Sequence, residues 1–342
     1  MHRRSLLTLA LSSVVGLLFA TTAVAEERYR LSGPVVHENL AIYFVHGKSA
    51  GGPVPLTLAE ALAKRFVQVH ETGNVSQLDI ENLGDTDIFV QSGDIVKGGK
   101  QDRVLTVSLI VPPRSGRLPI ASFCVEQGRW SARGRENAAR FESAEAAMPS
   151  RKAKLAIKAP VPVSSVRSAS EPSRQQEVWS NVARTQQLLS DRVGEQVASP
   201  QSRSSLQLAL EHEKLKETQA AYVRTLQAKG EEASDIIGYV FAINGKLNSA
   251  DVYPSNGLFR KMWPKLLNAS VTEAVSEKGE AAEALPTTDA VQAFLSAAEV
   301  GKAVERPLTK SVRLETREAY SALYFETRRA GGDWVHRNYL AK

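Results

Sequence analysis

Apolar and polar positions divide the chain into a strand-rich first part and a mixed second part. Residues 39–45 form an apolar, β-rich run. Residues 66–70, 75–82 and 88–90 alternate or return to apolar side chains, the period of strands with one buried face. Thr57, with Glu60 three residues on, makes a capping box that predicts a short helix through about Arg65. Residues 104–111 predict a strong strand, Pro112-Pro113-Arg114-Ser115-Gly116 a turn, and 118–126 its partner. The region from 37 to 130 therefore reads as a mostly antiparallel sheet with one helix.

Residues 144–174 change character: Ala, Ser, Pro, Lys and Arg dominate, large apolar residues are scarce, and the stretch reads as a linker or loop. Two helical segments follow, about 174–190 and 202–229, the second with Leu208, Leu215, Tyr222 and Leu226 on one face and Gly230 just past its end. Residues 236–243 run into Asn244-Gly245, a strong hairpin signal. Helix resumes at 256–263, against the strain of Pro264. Thr287 caps a helix to about Val300, and 312–329 and 334–340 close the chain as strands. Strands, then helices, then both mixed is an α+β order, not a doubly wound one. The expected divisions are a β-rich part at 26–143, a linker or loop at 144–174, and an α+β part at 175–342.

The first 25 residues change the picture of where the protein works. Met1-His2-Arg3-Arg4 is a basic start, residues 6–20 are almost wholly apolar, and Ala23-Val24-Ala25 is a small-residue cleavage site. These are the parts of a secretory signal peptide, so an exported protein, periplasmic or extracellular, is expected, with no stable membrane insertion after cleavage. The 43 Lys and Arg against 37 Asp and Glu give a net charge of +6, to which Arg3 and Arg4 contribute. That mild balance argues against nucleic acid as a partner. One Cys permits no internal disulfide. The six His are scattered, and no H-E-x-x-H, paired C-x-x-C or EF-hand pattern appears, so no metal and no cofactor is expected.

Two dense polar motifs stand out. Gly93-Asp94-Ile95-Val96-Lys97-Gly98-Gly99-Lys100-Gln101-Asp102-Arg103 is followed by Phe123-Cys124-Val125-Glu126-Gln127-Gly128-Arg129-Trp130. Charge gathered where a fold needs only turns points to a site. The candidate ligand-binding residues are Asp94, Lys100, Gln101, Arg103, Glu126, Gln127, Arg129 and Trp130. Gly98-Gly99 can admit a ligand to the backbone, with cations suited to a phosphate or carboxylate, or can form a tight turn whose cations pair with Asp94, Asp102 and Glu126. Cys124 is a candidate nucleophile or a buried thiol, and Glu126 a candidate acid/base; no His lies near in sequence, though His336 could arrive from the C-terminus.

Tyr43-Phe44-Val45-His46-Gly47-Lys48-Ser49-Ala50-Gly51 contains G-x-S-x-G after a strand, the pattern of a hydrolase nucleophile elbow. Gly52-Pro53-Val54-Pro55 follows it where the elbow requires a helix.

The stretches 56–62, 80–85, 98–103 and 124–130, with Ile243-Asn244-Gly245-Lys246, Ala250-Asp251-Val252-Tyr253 and residues 258–267, resemble the ARG and Rhodanese-Phosphatase-superfamily-associated domain. The resemblance runs from about 37 to 340 with a variable middle. It implies one family domain and leaves activity open, since the family carries no assigned function. The leading expectation is a non-catalytic domain that binds an anionic ligand or a protein partner. The rival is a hydrolase-like enzyme on an anionic substrate, with Lys100, Arg103 and Arg129 as clamps and Glu126 or Cys124 reacting.

Overall fold

The structure is a computed structural model that describes residues 29–134, 136–137, 139–158, 167–279 and 283–342, with the backbone alone for 167–173. The signal segment expected at 1–25 lies outside these residues. Strands β1 (Arg30–His37) and β2 (Leu40–His46) form a hairpin, and every side chain of β2 is buried, as a strand covered on both faces requires. β3 (Leu56–Thr57) leads into α1 (Leu58–Ala63) through the expected capping box. Thr57 Oγ1 accepts the Glu60 amide at 3.2 Å, and Glu60 Oε2 accepts the Thr57 amide at 2.8 Å. β4 (Val67–Glu71) and β5 (Gln77–Asn82) pair with the alternation their sequences show. β6 (Ile88–Val90), β7 (Asp94–Gly98), β8 (Arg103–Leu105), β9 (Leu109–Val111), β10 (Arg117–Cys124) and β11 (Phe141–Ala147) complete the first half.

The second half comprises α2 (Arg151–Lys158), α3 (Arg167–Val193), α4 (Leu206–Leu210), α5 (Glu213–Leu226), the hairpin β12 (Ile236–Ile243) and β13 (Lys246–Val252), then α6 (Asn256–Ser276) and α7 (Thr288–Glu299). β14 (Lys302–Pro307), β15 (Val312–Glu318), β16 (Ala322–Arg329) and β17 (Trp334–Ala341) close it. An eight-stranded sheet has the order β1-β2-β12-β13-β17-β16-β15-β14, a six-stranded sheet the order β11-β7-β8-β10-β5-β4, and a small sheet the order β3-β6-β9. Among the described residues the strand pairings are antiparallel except that of β3 with β6. This is the expected α+β class.

Three packed clusters hold the layers together. One joins a face of the large sheet (Phe44, Tyr239, Phe241) to α3, α5 and α6. A second lies under the two smaller sheets and reaches β15, β16 and β17. The third places α7 on Tyr43, Val240 and Tyr339. α6 is buried along most of its length, including the polar Ser270, Thr272 and Glu273, and it continues through Pro264. Among the described residues no helix is long and apolar enough to cross a membrane.

Three elements differ from their sequence pattern. Residues 104–111 are not one strand. Val104 and Leu105 pair with Phe123 and Ser122, whereas 109–111 cross to pair with β6, and the first half of β10 pairs with β5 instead. Hydroxyls replace ladder bonds at the crossing: Ser92 donates to the Thr106 carbonyl, and Ser108 Oγ accepts the Ser92 amide, both at 2.9 Å. Because all eight residues are buried, no change of hydrophobic period marks the break. The stretch 144–174 is not one loop. It carries the end of β11, α2 and the start of α3; Ala144 of β11 and Ala153, Ala156 and Ile157 of α2 pack into the core without a long apolar run. The helix expected at 202–229 is broken: Ser205 caps α4, accepting the Leu208 amide at 3.1 Å, and α5 starts anew after His212.

Candidate functional site

The β8–β10 pairing sets Arg103 opposite Cys124, so the two polar motifs meet at one end of the six-stranded sheet. At Gly99 the first motif also runs close against β11: its φ is +54°, and a Cβ there would lie 2.2 Å from the Phe141 ring, a place that favours glycine.

At the centre lie Asp102 and Glu126, both fully buried, facing two guanidinium groups. Arg133 bonds Asp102 at 2.9 and 3.3 Å, Glu126 at 3.3 Å and Glu136 at 2.9 Å. Arg129 Nε donates to Glu126 Oε2 at 2.7 Å, and its Nη groups donate to the Gly98, Gly99 and Ser131 carbonyls at 3.1, 3.0 and 2.5 Å. Asp102 also accepts the Gly98 amide at 2.9 Å and the Ser205 hydroxyl at 2.8 Å; the Asp102 amide donates to Glu126 Oε2 at 3.2 Å. Buried carboxylates are tolerable when every lone pair is met in this way. Those carboxylates hold the Arg133 guanidinium's proton more tightly than usual, against the opposing cost of burial. The network joins 98–103, 126–136 and the N-cap of α4 into one rigid block.

The remaining expected residues divide by role. Gln101 Nε2 donates to the Glu126 carbonyl at 3.0 Å, and its Oε1 accepts the Cys124 thiol at 3.0 Å. Cys124 is 1% exposed, its backbone is bracketed by the Gln175 amide at 2.8 and 2.9 Å, and burial pushes its thiol up to about 11. Arg103 is buried against the Val75 carbonyl and Glu71, 3.3 Å away. Lys100 and Arg103 stand over the ring of Trp130 at 5.2 and 5.6 Å, and Trp130 is 45% exposed. Gln127 is exposed and touches Ser204 through its backbone. Asp94 lies apart, paired with Lys265 at 2.6 Å and with the Gln91 amide at 2.9 Å. His336 does not join the cluster either; it is buried on β17 between Ser108 and Asp251.

The sequence reading missed Arg133, Glu136 and Ser205, which complete the network, and Arg140 beside it; Lys97, a cation of the first motif, lines the same flank. Arg133 lies only three residues past the second motif, in a polar stretch with no periodicity to mark it. On the outer side of the network is a cleft of about 680 Å³ lined by Lys97, Gly98, Arg133, Glu136, Arg140 and Gln201, among others. A second cleft of about 790 Å³ shares Lys97, Glu136 and Gln201 and continues along 196–203. Lys97 is held by Glu211 at 2.7 Å, whereas Arg140 is exposed, with no ion-pair partner among the described residues. Among the described residues no cluster of His, Cys, Asp and Glu could hold a metal ion. Glu126 and Cys124 have no open face, so proton transfer there would require the network to part.

A family model described as the ARG and Rhodanese-Phosphatase-superfamily-associated Protein domain matches residues 28–340. No curated protein and no solved structure matches the chain.

Proposed function

We propose that this chain, which belongs to the ARG and Rhodanese-Phosphatase-superfamily-associated Protein domain family, is an exported domain that binds a small anionic ligand on the block built from its two polar motifs. The observation that carries this reading is the 680 Å³ cleft whose wall is Gly98 and Arg133, members of the buried network itself. Its volume is in the usual range of small-molecule sites. Lys97, Arg133 and Arg140 outnumber Glu136 and Glu142 along its lining, and a paired floor with such an excess of cations favours an anion. Arg140 and Lys97 would clamp the ligand, and Lys100 with Trp130 would extend the same surface. Chemistry at Cys124 or Glu126 has less behind it: the thiol is buried and raised, and both Glu126 oxygens are already taken by Arg129 and Arg133.

The test is calorimetric titration with phosphate, citrate and phosphorylated sugars, on wild type and on Arg140→Ala and Lys97→Ala. A charge-assisted contact contributes about 1.5–3 kcal/mol, so each variant should bind roughly ten to a hundred times more weakly. Arg140→Ala should leave the melting temperature unchanged, because the side chain is exposed. No saturable binding of any of these anions, or equal binding by the variants, would refute the proposal.

A further inference from the structure

Two Ser–His–Asp chains occur among the described residues, and they differ in what can reach them. In the first, Ser108 Oγ lies 2.9 Å from His336 Nδ1, and His336 Nε2 lies 3.1 Å from Asp251. All three are sealed in the core at 4%, 2% and 5% exposure, and Ser108 Oγ is also engaged by the Ser92 amide. This chain is a scaffold bridging two sheets.

The second stands at the edge of the large sheet. Ser32 Oγ on β1 is 2.7 Å from His46 Nε2 at the end of β2, and His46 Nδ1 is 2.9 Å from Asp235 Oδ1. Arg30 holds the other Asp235 oxygen at 2.7 Å. A carboxylate only accepts, so Nδ1 carries the ring hydrogen and Nε2 is left to accept the Ser32 proton. The ring is fixed, since His46 is 7% exposed, but Ser32 is only partly buried and the Asp235 side chain is 49% exposed. Nucleophile, base and orienting carboxylate are therefore in the order that activates a serine, and solvent reaches the first of them.

The backbone supports that presentation. Ser32 pairs with Phe44 and Val35 with Ile42, so β1 carries one extra residue directly after Ser32. Gly33 fills it at φ +106°, where a Cβ would sit 2.8 Å from the Ile42 carbonyl oxygen. Such bulges re-aim side chains on edge strands, and β1 is an edge strand. His46 immediately precedes the G-x-S-x-G run, whose own serine takes no part in this site: Ser49 Oγ accepts the Asn256 amide at 3.0 Å.

We propose that Ser32, His46 and Asp235 form a hydrolytic site for esters of small acyl groups. Ser32 Oγ bonds to the acyl carbon and passes its proton to His46 Nε2. The bond from acyl carbon to leaving oxygen breaks, and the departing alcohol takes that proton. Water then adds to the acyl carbon as Nε2 removes its proton; the bond from acyl carbon to Ser32 Oγ breaks, Oγ takes that proton back from Nε2, and the carboxylic acid leaves. Ser32 lines neither of the two clefts described above, and an ester with a short acyl group is the substrate that asks least of the surface around it.

The full chain, incubated with a fluorophosphonate, should gain one phosphonyl adduct on the peptide that contains Ser32. It should also hydrolyse p-nitrophenyl acetate with turnover that falls at least a hundredfold in Ser32→Ala and in His46→Gln, and at least tenfold in Asp235→Asn. Ser32→Ala removes one hydroxyl from an edge strand and should melt as the wild type does, which separates lost chemistry from lost folding. An unlabelled Ser32, or ester turnover that survives in a folded Ser32→Ala protein, would overturn the proposal. The site is separate from the anion cleft, so the failure of either reading leaves the other standing.

Discussion

Replacing Arg133 by Met tests whether the polar cluster is a buried framework. The change keeps much of the side-chain bulk and removes the guanidinium. Asp102 loses bonds of 2.9 and 3.3 Å, Glu126 loses one of 3.3 Å, and Glu136 loses bonds of 2.9 and 3.3 Å. Asp102 keeps the Gly98 amide, the Ser205 hydroxyl and Arg129 at 3.5 Å, so it is under-satisfied while fully buried. Removing one partner from a buried ion pair costs about 3–5 kcal/mol. At roughly 2 °C per kcal/mol for a chain of this size, the melting temperature should fall by roughly 6–10 °C. Differential scanning calorimetry reads this directly. Adding Asp102→Asn removes the stranded charge, so the double variant should lose less than the sum of the two single changes. A drop of under about 2 °C in Arg133→Met, or simple additivity in the double variant, would refute the framework reasoning.

Two further outcomes follow from buried titratable groups. Cys124, raised to about 11 by burial, is almost wholly thiol at pH 8, so native protein should react with a thiol-specific disulfide reagent far more slowly than urea-unfolded protein; equal rates would show an exposed thiolate. Lys158 is lowered by desolvation from 10.5 to about 7. Between those values the unfolded chain binds the extra proton, so stability should be reduced below pH 7 and should rise as pH increases from about 7 towards 10.5. Urea midpoints at pH 7, 8 and 9 should climb in wild type and climb less in Lys158→Met; parallel slopes would remove Lys158 as the cause.

Local chemistry was enough to read much of this protein. The capping box at Thr57 and Glu60 and the turn at Asn244-Gly245 depend on atoms a few residues apart, and both form as their sequences require. The strands with one buried face were equally legible, because alternation records which side meets the core. The two polar motifs stand out in the sequence as charge gathered beside apolar runs, and the β8–β10 pairing brings them together. Their chemistry could not be read, because whether a charge is a clamp or a brace depends on burial, and burial here comes from distant segments. Arg133 and Ser205 close over Asp102 from positions 31 and 103 residues away. The strand at 104–111 breaks without a pattern to show it, since both halves are buried and only the neighbouring sheets decide which edge each half joins. The Ser32–His46–Asp235 chain is hidden for the same reason. Its members are separated by 14 and 189 residues, and only the sheet order β1-β2-β12 brings them within hydrogen-bonding distance. Sequence determines period, caps and turns because these are short-range; partnership among charges is long-range, and it was settled by the packing of the sheets.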